Sequence, residues 1–159
     1  PFGLARRLTV PLAQAEEFIT LYFLTYPKVK AWIDGIVEKA RQDGYVTTLL
    51  NRRRWVPELF SKSLAEREFG ERVAINTPIQ GTAADLIKVA MVLISRELEL
   101  RHLRTRMIIQ VHDELVFEVP DGEIAQASQL IKKRMESAIS LSVPIVVNIG
   151  VGKNWYEAH

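Results

Sequence analysis

The chain has 159 residues, 48% of them hydrophobic and 25% charged, which suits one compact domain or two smaller lobes with a sizeable core. It contains no cysteine, which excludes a disulfide framework and any thiolate metal site. Its formal net charge of +2 permits a nucleic-acid partner without demanding one, since binding depends on where the charge clusters.

No apolar run approaches the roughly 20 residues of a membrane span, and no secretory signal opens the chain. The expectation is an intracellular, soluble protein. The start at Pro1-Phe2-Gly3, without methionine, fits an excised or incomplete product.

In chain order, Pro11 opens the first clear helix, since its fixed φ suits a first helical position. Apolar residues at Ala15, Phe18, Ile19, Tyr22, Phe23 and Tyr26 follow the spacing of a buried helical stripe. A second stripe runs through Val29, Trp32, Ile33, Ile36, Val37 and Ala40, and Gly44 closes it as a C-terminal cap. Tyr45–Leu50 and Arg54–Leu59 read as short strands around a turn near Asn51 and Arg52. Ser63–Leu100 is helical, with a kink or restart expected at Pro78, which lacks an N–H donor. Arg106–Val111 and Leu115–Val119 read as a β-hairpin around His112-Asp113-Glu114. An amphipathic helix is expected over Glu123–Ile139 and a final strand over Val143–Val151. The fold class is α+β, with a lobe boundary near Gly70.

Three groups of residues carry chemistry. At the hairpin, two carboxylates and an imidazole sit where apolar strands meet. Oxygen ligands held on rigid strands suit Mg²⁺, which takes carboxylates, phosphates and water in octahedral geometry. Phosphoryl transfer uses such an arrangement, while solvated turn residues are the plain alternative. Arg72, Asn76 and Gln80 are four residues apart and share one helical face. All three donate hydrogen bonds and could follow minor-groove acceptors, which are nearly uniform among base pairs; a solvent-facing polar stripe is the alternative. Arg52, Arg53 and Arg54 lie together at a turn, either as contacts to phosphates or as a solvated charge run. Asp85 reads as a structural carboxylate near a helix start, and Lys88 as an exposed helix residue.

A family resemblance bears on these alternatives. Gln110–Val119, centred on His112-Asp113-Glu114, resembles the third polymerase motif of the family A DNA polymerases. Arg72–Lys88 is similar to that family's palm helix region, and Gly44–Pro57 to its finger-to-palm connection. Phe2–Arg6 resembles the segment after the nucleotide-binding fingers helix, and Gly152–Trp155 the family's extreme C-terminus. The resemblance covers essentially the whole chain.

It implies the C-terminal part of the fingers at 1–69 and of the palm at 70–159. It implies template-directed DNA synthesis, with nucleotidyl transfer from a deoxynucleoside triphosphate to a primer 3′ hydroxyl assisted by two Mg²⁺ ions. Asp113 would be a catalytic metal ligand, Glu114 its less critical catalytic neighbour, and His112 a contact near the primer terminus. Arg72, Asn76 and Gln80 would contact primer–template DNA, and Arg52, Arg53 and Arg54 stand as candidate DNA-binding residues at the finger-to-palm connection, with a solvated charge run still the alternative. The implied location is cytoplasmic, at the bacterial nucleoid, with no membrane partner.

The family's first palm motif, which carries the other metal-binding aspartate, has no counterpart in this sequence, nor has its triphosphate-binding fingers helix. The N-terminal portion of the polymerase is therefore an implied partner, and the isolated chain is not expected to polymerise. One rival is a non-catalytic primer–template-binding module. Another is a Mg²⁺-dependent hydrolase built on His112, Asp113 and Glu114, for which His102 and His159 offer no obvious ligand spacing.

Overall fold

The computed structural model describes residues Pro1–Ala158. It divides into two compact units, one of residues 1–47 and 51–78, the other of residues 48–50 and 79 onward.

The first unit opens with three helices, α1 (Phe2–Leu8), α2 (Leu12–Thr25) and α3 (Pro27–Asp43). The expected first helix is α2, and α1 is an addition to the sequence reading. Pro27 occupies the first turn of α3, where its missing N–H costs no helical bond. Gly44 ends α3 at φ 79°, with its N–H donating to the Ala40 carbonyl at 2.9 Å. That left-handed cap is what glycine adopts without steric penalty, and the chain leaves it directly into a strand.

Strands β1 (Tyr45–Thr47) and β2 (Arg53–Trp55) pair antiparallel, Tyr45 opposite Trp55 and Thr47 opposite Arg53. They are shorter than the sequence suggests. Pro57–Phe60 forms a 3₁₀ turn where the second strand was expected to continue, because Pro57 cannot donate to a ladder. The core of this unit joins Ala40, Val46, Val56 and Leu59 to Val73 and Ala74 of a long helix, α4 (Leu64–Leu100). A Cβ on Gly70 would come within 2.9 Å of the Leu59 amide nitrogen, so this residue lets α4 lie directly on the 3₁₀ turn. An Arg41–Glu71 ion pair at 2.5 Å ties α3 to the same stretch.

Helix α4 runs through Pro78, so of the kink or restart expected there the restart does not occur. Its first part, to Pro78, belongs to the first unit, and the remainder to the second. Immediately before the proline, the Thr77 hydroxyl donates to the Val73 carbonyl one turn back, at 2.7 Å. Asp85 is therefore buried in mid-helix rather than near a helix start, which removes the dipole argument for it. By length and composition α4 could cross a membrane, with a mean hydropathy of 1.2 over its most apolar stretch. Its apolar side is instead core, through Ile87, Ala90, Ile94 and Leu98.

In the second unit, strands β3 (Arg106–Val111) and β4 (Glu114–Glu118) form the expected hairpin, followed by a short 3₁₀ turn and helix α5 (Ile124–Glu136). Helix α5 is shorter than the amphipathic stretch suggested. It packs Ala127, Leu130, Ile131 and Met135 against α4, with Met107, Leu115, Phe117 and Val119 over the same cluster. Val143–Val151 is not a strand. A strand needs a ladder partner, and none is present among the described residues; the Val147 amide instead donates to the Glu136 carboxylate at 3.1 Å. A short helix, α6 (Trp155–Ala158), follows.

Two carboxylates fasten this unit. Glu97 of α4 accepts from Arg134 of α5 and from Arg101. Glu123 accepts from the Arg104 amide at 3.0 Å, the Thr105 amide at 2.9 Å and the Thr105 hydroxyl at 2.7 Å. Hydrogen bonds from Arg134 and then Arg101 hold Glu97 below the usual carboxylate value of 4.5. The Arg104 amide and then the Thr105 hydroxyl do the same for Glu123.

Both groups titrate lower in the folded than in the unfolded chain, so their contribution is present above about pH 4.5 and is lost as pH falls through the folded values. Acid titration followed by circular dichroism is expected to show stability falling in that direction, less steeply in Glu97→Gln; an unchanged slope in the variant would contradict this. Ile94, with 0% exposure, is expected to cost about 2–5 kcal/mol on replacement by alanine. Chemical denaturation measures it, and a cost under about 0.5 kcal/mol, typical of surface positions, would contradict the packing described.

Candidate active-site turn and nucleic-acid interface

The β3–β4 hairpin closes Val111 on Glu114, leaving His112 and Asp113 as a two-residue turn. Glu114 is thus the first residue of β4 rather than part of the turn, as the sequence reading had it. Two-residue hairpin turns require positive φ, and His112 supplies it at φ 53°. The Gln110 side-chain amide donates to the His112 carbonyl at 3.0 Å, which braces the turn from the strand before it. His112 and Asp113 are exposed, and Glu114 is half-buried.

Irregular pairing between Met107 and Ile109 places Ile108 as a bulge, and a bulge adds local twist. Below the turn, Met107, Leu115 and Phe117 point into the core, while Ile108 and Ile109 are 61% and 49% exposed on the opposite side. The carboxylates therefore stand at the tip of a hairpin held along one face.

Among the described residues no group of three or more His, Asp or Glu side chains is placed to hold a metal ion. Asp113 and Glu114 nevertheless fit a hard divalent cation in kind: they offer carboxylate oxygens from the turn and from the start of β4, and Mg²⁺ takes one or two carboxylates and completes its shell with water or phosphate oxygens. The hydrolase alternative, which needs further protein ligands, finds none among the described residues. His102 sits at φ 54° after α4, and His159 lies outside the described residues.

Arg72 and Asn76 are exposed in the first unit, on the side of α4 away from buried Val73, Ala74 and Thr77. The Arg72 guanidinium lies 5.9 Å from the Phe69 ring centroid. Gln80 is exposed on the same helix, in the second unit. There the buried Thr82 hydroxyl accepts from the Leu49 amide at 3.0 Å. Lys88 is exposed, as expected.

Arg52, Arg53 and Arg54 are all exposed, at the β1–β2 hairpin. Asn51, at φ 61°, turns the loop that delivers them. Arg53 stacks over the Tyr45 ring, 4.7 Å from its centroid. The sequence reading gave no role to Tyr45 or Trp55, although the alternation of a short strand already puts residues 53 and 55 on one face. It also passed over Glu123, whose three bonds come from residues distant in sequence.

Comparisons with known proteins bear on this arrangement. The family model described as DNA polymerase family A matches residues 1–157. DNA polymerase I of Geobacillus stearothermophilus is 47% identical over 157 residues, covering 99% of this chain and 18% of the relative. The thermostable DNA polymerase I of Thermus filiformis is 48% identical over 155 residues, covering 98% of this chain and 18% of the relative. The chain thus spans less than a fifth of the length of these relatives. The solved POL domain of Pol1 from M. smegmatis, in complex with DNA primer-template and dNTP, superposes with a TM-score of 0.95 at 43% identity. That match covers 99% of this chain and 28% of the solved one. A family match over nearly every residue, joined to the same mixed fold of helices and antiparallel hairpins, shows that the chain belongs to DNA polymerase family A.

Proposed function

We propose that the chain is part of a DNA-directed DNA polymerase, supplying the C-terminal part of the fingers at residues 1–69 and of the palm at 70–159. The reaction is transfer of a nucleotide from a deoxynucleoside triphosphate to a primer 3′ hydroxyl. The observation that carries this reading is the exposed Asp113 at a braced two-residue turn, within a chain that matches family A over residues 1–157.

In this reading Asp113 holds a divalent cation, with Glu114 beside it as the less critical carboxylate. Two Mg²⁺ ions are the proposed complement, and bound there they would neutralise phosphate charge and orient the reacting oxygens. The remaining ligands belong to the N-terminal portion of the enzyme, so the chain by itself is not expected to extend a primer. His112, in a left-handed conformation next to Asp113 in the turn, would be a contact near the primer terminus. Arg72, Asn76 and Gln80 donate to the primer–template, where groove acceptors are nearly sequence-independent. Arg52, Arg53 and Arg54 meet template phosphates, which position the strand without reading it. A cytoplasmic location, with the DNA, follows from the same reading.

Binding without catalysis, as a primer–template module, is the second reading; the exposed arginines and the Arg72 face support it equally. The two separate at Asp113. In the polymerase that carries this chain, Asp113→Ala is expected to reduce primer extension by at least about 10²–10³-fold, the scale of losing a charge-stabilising group at a reacting centre. Its primer–template affinity should remain. Equal loss of synthesis and of binding would contradict the metal-ligand role. Arg54→Ala is expected to weaken binding and to reduce the slope of log affinity against log salt by about one; an unchanged slope, measured by fluorescence anisotropy across salt, would contradict a phosphate contact.

A further inference from the structure

The outward face of the β1–β2 hairpin carries more than charge. Antiparallel pairing sets Tyr45 opposite Trp55 and Thr47 opposite Arg53. Successive side chains alternate between faces, so Tyr45, Arg53 and Trp55 share one face, while Val46, on the other, is buried in the core. On that shared face the Tyr45 and Trp55 rings meet edge-on, centroids 5.2 Å apart at 67°, and the Arg53 guanidinium lies 4.7 Å from the Tyr45 centroid. One edge of the indole rests against Gly44, where a Cβ would lie 3.7 Å from Trp55 Cζ3. The rest of Trp55 is open, at 65% exposure.

A tryptophan that served only to pack the hairpin would be expected to bury most of its ring. This one keeps 65% exposure, with three exposed arginines along the same strand and the turn before it. Aromatic rings on a strand face beside a basic track are the elements of a stacking platform for unpaired bases. Such stacking tolerates any sequence, because every base offers a π-face. An arginine already stacked on the neighbouring ring extends the flat surface and brings its charge to the backbone that the bases hang from.

We propose that the Tyr45–Trp55 face, with Arg53, is a stacking site for unpaired bases of a single-stranded DNA template. Trp55 takes a base on its exposed ring, and Arg53, which shares that face, holds an adjoining phosphate. This rests on the primer–template reading above and adds a contact to bases, where that reading has only phosphates at this hairpin. The complementary charge favours a polyanion over an apolar peptide, and the open indole favours unpaired bases over a closed duplex, whose bases are already stacked.

The test compares two DNA probes, a primer–template with a 5′ template extension of thymidines and a blunt duplex of the same paired sequence. The three tryptophans are reduced to Trp55 by Trp32→Phe and Trp155→Phe. The extended probe is expected to quench Trp55 emission and the blunt duplex to leave it unchanged. Trp55→Leu should weaken binding of the extended probe about tenfold without weakening the blunt duplex, and Trp55→Tyr should restore it. Unchanged Trp55 emission at saturation, or equal weakening of both probes by Trp55→Leu, would overturn the stacking site while leaving duplex binding intact. Binding of neither probe would overturn the primer–template reading with it. Where Trp55→Leu fails to fold, the emission of unaltered Trp55 against the two probes decides.

Discussion

Everything proposed for catalysis depends on how a two-stranded hairpin is kept still. Two strands alone are marginal in water, and β3 and β4 have no third strand beside them among the described residues. What holds them is burial along one face, where Met107, Leu115 and Phe117 join the α4–α5 cluster. Glu123 adds three hydrogen bonds to the residues just before β3. With the base so fixed, the positive φ of His112 sets where the next residue, Asp113, is displayed. A charge that must meet a small, geometrically demanding ion needs that kind of support.

The same reasoning explains what the sequence revealed. The hairpin was legible because apolar alternation flanked a polar triplet, and α2 and α3 as helices because their stripes ran for several turns beside Pro27 and Gly44, although Phe18, Tyr22, Tyr26 and Trp32 of those stripes are exposed rather than buried. Helix α4 was legible in extent, and the restart that Pro78 allowed does not occur. A proline removes one donor and crowds one carbonyl, yet the helix continues past Pro78, with Ala74 buried before it and Thr82 after it. Tertiary packing outweighed local propensity there. Val143–Val151 failed for the converse reason: its β-branched composition states a preference, and a strand exists only where a partner does. Its exposed Val143, Val146 and Val151 show that the preference is unmet in the described structure.

The candidate site was legible only in part for a similar reason. Asp113 and Glu114 are adjacent in sequence, so one motif finds both. Spacing alone left them between metal ligands and solvated turn residues, and the long match around them favoured the former. The Tyr45–Arg53–Trp55 face is assembled across a hairpin, from residues whose partners lie eight or more positions away, and no linear motif announces it. The exposed Trp55 ring there became informative only once its neighbours were known.

The most direct test of the central claim is the position of Asp113 relative to the ion. A crystal structure of the polymerase carrying this chain, with primer–template, a deoxynucleoside triphosphate and Mn²⁺ in place of Mg²⁺, locates each ion by anomalous scattering. The account predicts an Asp113 carboxylate oxygen within about 2.0–2.3 Å of an ion, the range of a direct oxygen ligand to a small divalent cation. Ions bound with Asp113 outside their coordination shell would contradict it.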